Sequence, residues 1–190
     1  MKNTFFTLIF FCMILALNAQ NEYEPSEKNP FGKLNPNAPE QTKDFQQLIG
    51  LCDCKSESRN PDRTWAKPVN MTWKFKYIMN GMAVQDETLK EDGRHSGSIR
   101  QYSKDSARWY VHYYSSAAIA SVLSVWEGNK KDNSIVLYRE NKAPNGMDGF
   151  YRLTFSDIND NGFNWIGEWV DKTEKIIFPT WKISCIKRKK

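Results

Sequence analysis

After Gly50 the chain alternates apolar and polar residues with a period of two. The cleanest stretch runs from Val69 to Tyr77, where Val69, Met71, Trp73, Phe75 and Tyr77 interleave with Asn70, Thr72, Lys74 and Lys76. Side chains on a strand point to opposite faces in turn, so this pattern predicts a strand with one face buried. Asn80-Gly81 follows, and both residue types tolerate positive φ, which marks a hairpin. The same reading predicts strands over Gly50–Ser58, Val69–Tyr77, Met82–Lys90, Ser96–Tyr102 and Arg108–Ser115. It continues with Ser121–Gly128, Ser134–Asn141, Gly149–Asp157, Phe163–Asp171 and Lys175–Ile186. Polar turns separate them, among them Ser103–Ser106, Asn129–Asn133 and Pro144–Gly146. Before Gly50 the period changes: Phe45, Leu48 and Ile49 fall at helical spacing and predict a short helical turn over Glu40–Leu48.

Ten short strands with short polar connections and no long helix between them predict an all-β fold. Neighbours in sequence then pair antiparallel, giving an up-and-down β-barrel. An even strand number lets the first and last strands close the barrel antiparallel. That closure brings Cys52 or Cys54 towards Cys185, and a disulfide there is expected. Pro179 cannot donate to a ladder, so a bulge is expected within the last strand.

The first residues behave differently. Phe5 to Leu17 is an almost wholly apolar run, preceded by Lys2 and followed by Ala19, which is the pattern of a cleavable signal peptide over residues 1–19. A span of the bilayer needs about 20 apolar residues, more than this run supplies, so no integral membrane segment is expected after cleavage. Phe10 and Phe11 precede Cys12, where a lipidated cysteine needs a small residue. Residues 20–42 hold Pro25, Pro30, Pro36 and Pro39 and predict an extended leader, with the barrel over 43–188.

Composition sharpens this division. Among 190 residues there are 7 Trp, 8 Tyr and 11 Phe but only 10 Gly and 8 Pro, which excludes disordered and collagen-like chains. The net charge of +5 comes from scattered Lys and Arg, apart from Lys187–Lys190, so no nucleic-acid partner is implied. Removal of the signal leaves three cysteines, Cys52, Cys54 and Cys185, which suits one disulfide and one free thiol in an oxidising compartment. A zinc site needs four ligands, and no His stands near Cys52-Asp53-Cys54. A secreted or periplasmic location follows.

Ala38-Pro39-Glu40 and Phe45 lead into Leu48-Ile49-Gly50. Trp73 to Ile78, Asn80 to Asp86, Trp109 to Tyr114, Phe155 to Ile158, Trp181 and Cys185 follow in order. With these residues, about four fifths of the chain resembles the calycin superfamily of lipocalin-like barrels, and more closely secreted bacterial lipocalin-like proteins. The resemblance implies a closed barrel with an internal cavity and no definite activity. Gly50-Leu51-Cys52 stands where lipocalins usually carry Gly-x-Trp. Haem-binding barrels related to this fold use a His near the end of the chain, and no His follows His112. No cofactor is expected.

Candidate chemistry is mainly that of binding. Trp73, Phe75, Tyr77, Tyr113, Trp126, Tyr138, Trp165 and Trp181 are candidates to line a cavity for a small apolar or amphipathic ligand. Arg100, Arg152 and Glu168 sit within strands and are candidates to fix an anionic or hydrogen-bonding group. His112 lines the cavity if the Trp109 face of its strand is outward. One alternative is an isomerase or hydrolase using Glu168, His112 or Tyr113. Another is a surface interaction module whose aromatic residues simply fill the core. Asp157, Asn159, Asn161, Gly162 and Glu168 match the spacing of a calcium loop, but the flanking segments read as strands rather than helices. A hairpin with Asn161-Gly162 at its tip is expected instead, and no metal site.

Overall fold

The computed structural model describes residues 22–189; the expected signal peptide lies outside the described residues. Ten strands form one closed antiparallel barrel: β1 (Gly50–Ser58), β2 (Val69–Ile78), β3 (Ala83–Lys90), β4 (His95–Ser103), β5 (Arg108–Ser115), β6 (Ser124–Lys131), β7 (Ser134–Lys142), β8 (Asp148–Asn159), β9 (Gly162–Asp171) and β10 (Ile177–Lys187). Each strand pairs with its sequence neighbours, and β1 pairs with β10 to complete the ring. Closure leaves no unpaired edge, so every strand finds hydrogen-bond partners on both sides.

Burial follows the alternation in the sequence. On β2, Met71, Trp73, Phe75 and Tyr77 are buried while Thr72, Lys74 and Lys76 are partly exposed. On β5 the inward set is Trp109, Val111 and Tyr113, the first two at most 2% exposed. A 3-10 helix, η1 (Glu40–Leu48), covers one end of the barrel. Its Phe45 and Leu48 are buried, and Phe45 meets Trp109 edge to face at a centroid distance of 4.8 Å.

The Pro-rich residues 22–39 form no strand or helix but bind the β2–β3 turn. Three consecutive residues there, Met79, Asn80 and Gly81, adopt positive φ of 54°, 51° and 78°. The turn therefore needs outside support, and the preceding segment supplies it. Asn35 donates to the Asn80 carbonyl at 2.9 Å, the Tyr23 amide donates to Asn80 Oδ1 at 3.1 Å, and Glu24 accepts from the Asn80 amide. A Cβ on Gly81 would run into the Lys33 carbonyl, so this close approach requires glycine.

Two expectations hold in detail. The register shifts between Pro179 and Trp181, which places the bulge at the proline. Cys54 and Cys185 face one another across β1 and β10 and form the disulfide, leaving Cys52 free and buried. Most strands differ from their expected bounds by one or two residues, and β6 differs by three at each end: it begins at Ser124 rather than Ser121 and runs on to Lys131 rather than Gly128. Val122 is 80% exposed and unpaired, whereas Lys131 pairs with Ser134 around a tight Asp132-Asn133 turn in which Asp132 takes a φ of 54°. A turn that short outweighs the polarity of Asn129–Lys131.

The disulfide spans 131 residues of sequence. Confining so long a loop in the unfolded chain implies that Cys54→Ala with Cys185→Ala lowers stability by about 2–5 kcal/mol, measurable by urea titration. The oxidised protein should take one thiol label, at Cys52, and only after denaturation. Burial also raises two acids: the Cys52 thiol moves from 9.0 to about 11, and the Tyr77 hydroxyl from 10.0 to about 12. The folded state holds these protons more tightly than the unfolded chain. Their effect on stability is thus absent below pH 9, and stability falls as pH rises from about 9 to 12; a denaturation series at pH 8, 9 and 10 checks this.

Candidate functional site

The barrel interior is divided across its middle. On the η1 side Phe45, Phe75, Trp109, Phe155 and Phe163 pack against one another, at centroid distances between 4.8 and 6.3 Å. At the boundary lies Asp86, 3% exposed, on β3. Its carboxylate accepts from Trp73 Nε1 at 2.7 Å and forms an ion pair with Arg100 of β4. The Arg100 guanidinium lies over the Phe45, Phe75 and Phe155 rings, 5.2, 5.3 and 5.7 Å from their centroids. Burial lowers its pKa to about 9, so it still carries its charge at neutral pH. Asp86 supplies the opposite charge on the spot, which is what a buried cation requires.

Beyond this pair the interior is hollow. A chamber of about 230 Å³ lies towards the end opposite η1. Trp73, Trp126, Trp165, Trp181, Tyr113 and Tyr151 form its aromatic walls. Trp165 and Trp181 meet edge to face at 5.2 Å, and Trp181 donates to Ser56 Oγ at 2.7 Å. The β3–β4 side is polar: Thr88, Ser96 and Ser98 point in, with the Thr88 and Ser96 hydroxyls 2.7 Å apart. A cleft lined by Lys90, His95, Ser115 and Ala117 shares Thr88, Ser96, Tyr113 and Trp181 with the chamber, and forms its mouth. Arg139 of β7 also borders the chamber. It stacks on Trp126 at 4.3 Å and donates to Ser124 Oγ at 2.6 Å.

Of the residues expected to line a cavity, Trp73, Arg100, Tyr113, Trp126, Trp165 and Trp181 do so. Phe75 and Tyr77 point inward but belong to the solid half of the core. Four lie elsewhere. His112 is on the outer face, because Trp109 and Val111 occupy the inward positions of β5. Arg152 and Glu168 pair directly across β8 and β9, on the face opposite Phe155 and Trp165, and so lie outside the chamber. Their contact is 2.7 Å, and Arg152 also pairs with Glu174. Burial works against the Arg152 charge, but Glu168 and Glu174 outweigh it and raise its pKa. Tyr138 joins this outer cluster by donating to Glu174 at 3.0 Å. The structure therefore does not bring Glu168, His112 and Tyr113 together as an acid–base set. Glu168 is equally remote from the Asp157–Gly162 turn, which forms the β8–β9 hairpin with a register shift between Ser156 and Asn159.

Sequence reasoning missed Asp86, Thr88, Ser96, Ser98, Arg139 and Tyr151. Their signal was present: Ser96, Ser98 and Arg100 share one face at period two, as do Asp86 and Thr88. Polar residues at successive inward positions of two adjacent strands mark a lined cavity, but hydrophobic alternation does not find them.

No helix among the described residues is long and apolar enough to cross a membrane. No protein-family profile matches the sequence, and no curated protein sequence matches it. Solved structures share its outline. The protein Rv2717c of M. tuberculosis is 9% identical with a TM-score of 0.52, over 80% of this chain and 100% of that one. The S-type phycobiliprotein lyase of Guillardia theta is 8% identical with a TM-score of 0.48, over 77% of this chain and 91% of that one. At such identities the likeness to the mycobacterial protein is one of fold.

The Asp86–Arg100 pair generates a direct expectation. Asp86→Asn leaves a buried cation uncompensated and should cost about 3–5 kcal/mol in denaturant unfolding. Asp86→Leu combined with Arg100→Met removes both charges and should recover most of that loss.

Proposed function

We propose that this chain is a secreted or periplasmic carrier barrel that binds one small apolar or amphipathic molecule in the chamber above Asp86 and Arg100. The observation that carries this reading is the chamber itself: aromatic walls, a polar side and a mouth, set over a floor of buried aromatic residues. A volume of about 230 Å³ suits a ligand of roughly ten to fifteen heavy atoms, and aromatic walls with a few polar groups are the usual lining of such sites. The rigidity of the surroundings supports it too, because a closed barrel holds its cavity without collapse.

The location rests on the 1–19 signal pattern and on the Cys54–Cys185 disulfide, which persists in oxidising compartments. Cleavage after Ala19 should leave Gln20 as the N-terminus, readable from the mass of the exported protein. A binding role fits the placement of the titratable residues better than an enzymatic one, because Asp86 and Arg100 neutralise each other within the chamber.

The binding reading is tested by native mass spectrometry of the purified protein after exposure to lipid and metabolite extracts. A single retained small molecule is expected. Ser98→Phe directs a ring into the chamber and should abolish retention, while its melting temperature stays within several degrees of the parent. An empty parent protein in every extract would contradict the proposal.

A further inference from the structure

We infer that the chamber selects a monoanionic amphiphile, a carboxylic acid on an aromatic or short aliphatic body, with Arg139 as the residue that meets the acid group. This rests on the binding role proposed above and specifies the charge of the ligand.

The charge balance of the chamber is the first ground. Two arginines reach it. Arg100 is matched by Asp86, whose two oxygens are already taken by Arg100 and Trp73 Nε1. Arg139 has no carboxylate partner among the described residues; its polar contact is the neutral Ser124 hydroxyl at 2.6 Å. One strand away on the outer face, Arg152 engages two carboxylates, Glu168 and Glu174. The chamber thus carries one positive charge in excess, in surroundings from which much of the water is excluded and where a charge acts strongly.

The second ground is the kind of hydrogen-bonding group left unmet. Two buried polar atoms on chamber-lining side chains lack a partner: Arg100 Nε, on a residue 3% exposed, and Trp126 Nε1, on a residue 7% exposed. Both are N–H donors. Trp126 is also the ring on which Arg139 stacks. Buried donors normally find acceptors, and the unmet Trp126 Nε1 beside the unmatched Arg139 calls for a ligand rich in acceptor oxygens at that end, with Arg100 Nε a second unmet donor at the floor. A carboxylate supplies them without adding a donor of its own, and the planar guanidinium fork suits it.

Position is the third ground. Arg139 pairs with Tyr151 in the ladder and contacts Ser124 at the start of β6, which puts it towards the mouth rather than over the aromatic floor. An acid group held there leaves the apolar body to lie among Trp73, Trp165 and Trp181.

Matched ligands separate charge from shape. Calorimetric titration with indole-3-acetate, indole-3-ethanol and tryptamine compares an anion, a neutral molecule and a cation on one ring; decanoate and decanol repeat the comparison on a chain. The acids should bind at least about tenfold more tightly than the alcohols, as expected of a charge-assisted bond. Arg139→Met should reduce the acids to the level of the alcohols. Unchanged alcohol binding in that variant shows that its chamber is intact, and Arg139→Gln provides the same comparison if the first variant folds poorly. Equal binding of acid and alcohol, or tighter binding of tryptamine, would overturn the charge selection while leaving the binding role standing. An acid preference that survives loss of Arg139 would overturn the assignment to that residue. Absence of binding by all five compounds would overturn this inference, while the binding role is decided separately by whether the parent protein retains a molecule from the extracts.

Discussion

The interior is organised around one buried ion pair. Asp86 and Arg100 face each other inside a barrel lined largely by aromatic rings, with Trp73 Nε1 completing the carboxylate's contacts. Neither charge tolerates burial alone. Their pairing fixes β3 against β4 and ties both to β2. It also draws a boundary. Below it the guanidinium rests on three phenyl rings, and the core is filled by aromatic side chains. Above it the inward residues of β3 and β4 turn to hydroxyls, which are too small to fill the space between the tryptophans. The chamber is the consequence of that change in side-chain size.

The rest of the fold keeps this arrangement in place. The Cys54–Cys185 bridge fastens the seam where the first and last strands meet, the contact most distant in sequence. Residues 22–39 and the η1 helix close the opposite end, the former by holding the strained β2–β3 turn and the latter by inserting Phe45 and Leu48. The mouth is bordered instead by the β5–β6 connection, with Ile119 94% exposed and Val122 80% exposed. One end is thus plugged, and the other carries the cleft that borders the chamber.

Much of this was legible in the sequence. Period-two alternation located all ten strands, because burial of one face of a strand leaves a direct trace in residue order. The closing seam and its disulfide followed from an even strand count, and Pro179 marked its own bulge. The site was legible only in part. Trp73, Trp126, Trp165 and Trp181 were visible as large inward residues. Arg152 and Glu168 were misleading because charged residues within strands look alike whichever face they occupy, and only the register shows that they pair outside the barrel. Arg139 was missed for the same reason in reverse. On β8 and β9 both faces carry bulky residues, so the parity that separates inside from outside is not fixed by local sequence.

The Asp86–Arg100 pair divides the interior into a chamber above it and a filled aromatic core below it. The indole N–H signals of the tryptophans report on this residue by residue in a two-dimensional NMR spectrum. On addition of indole-3-acetate, the signals of Trp126, Trp165 and Trp181 should move. Those of Trp109, packed against Phe45, and of Trp65, stacked outside between Arg59 and Lys182, should stay in place. Shifts confined to Trp65, or no shift at any tryptophan up to millimolar ligand, would contradict the account.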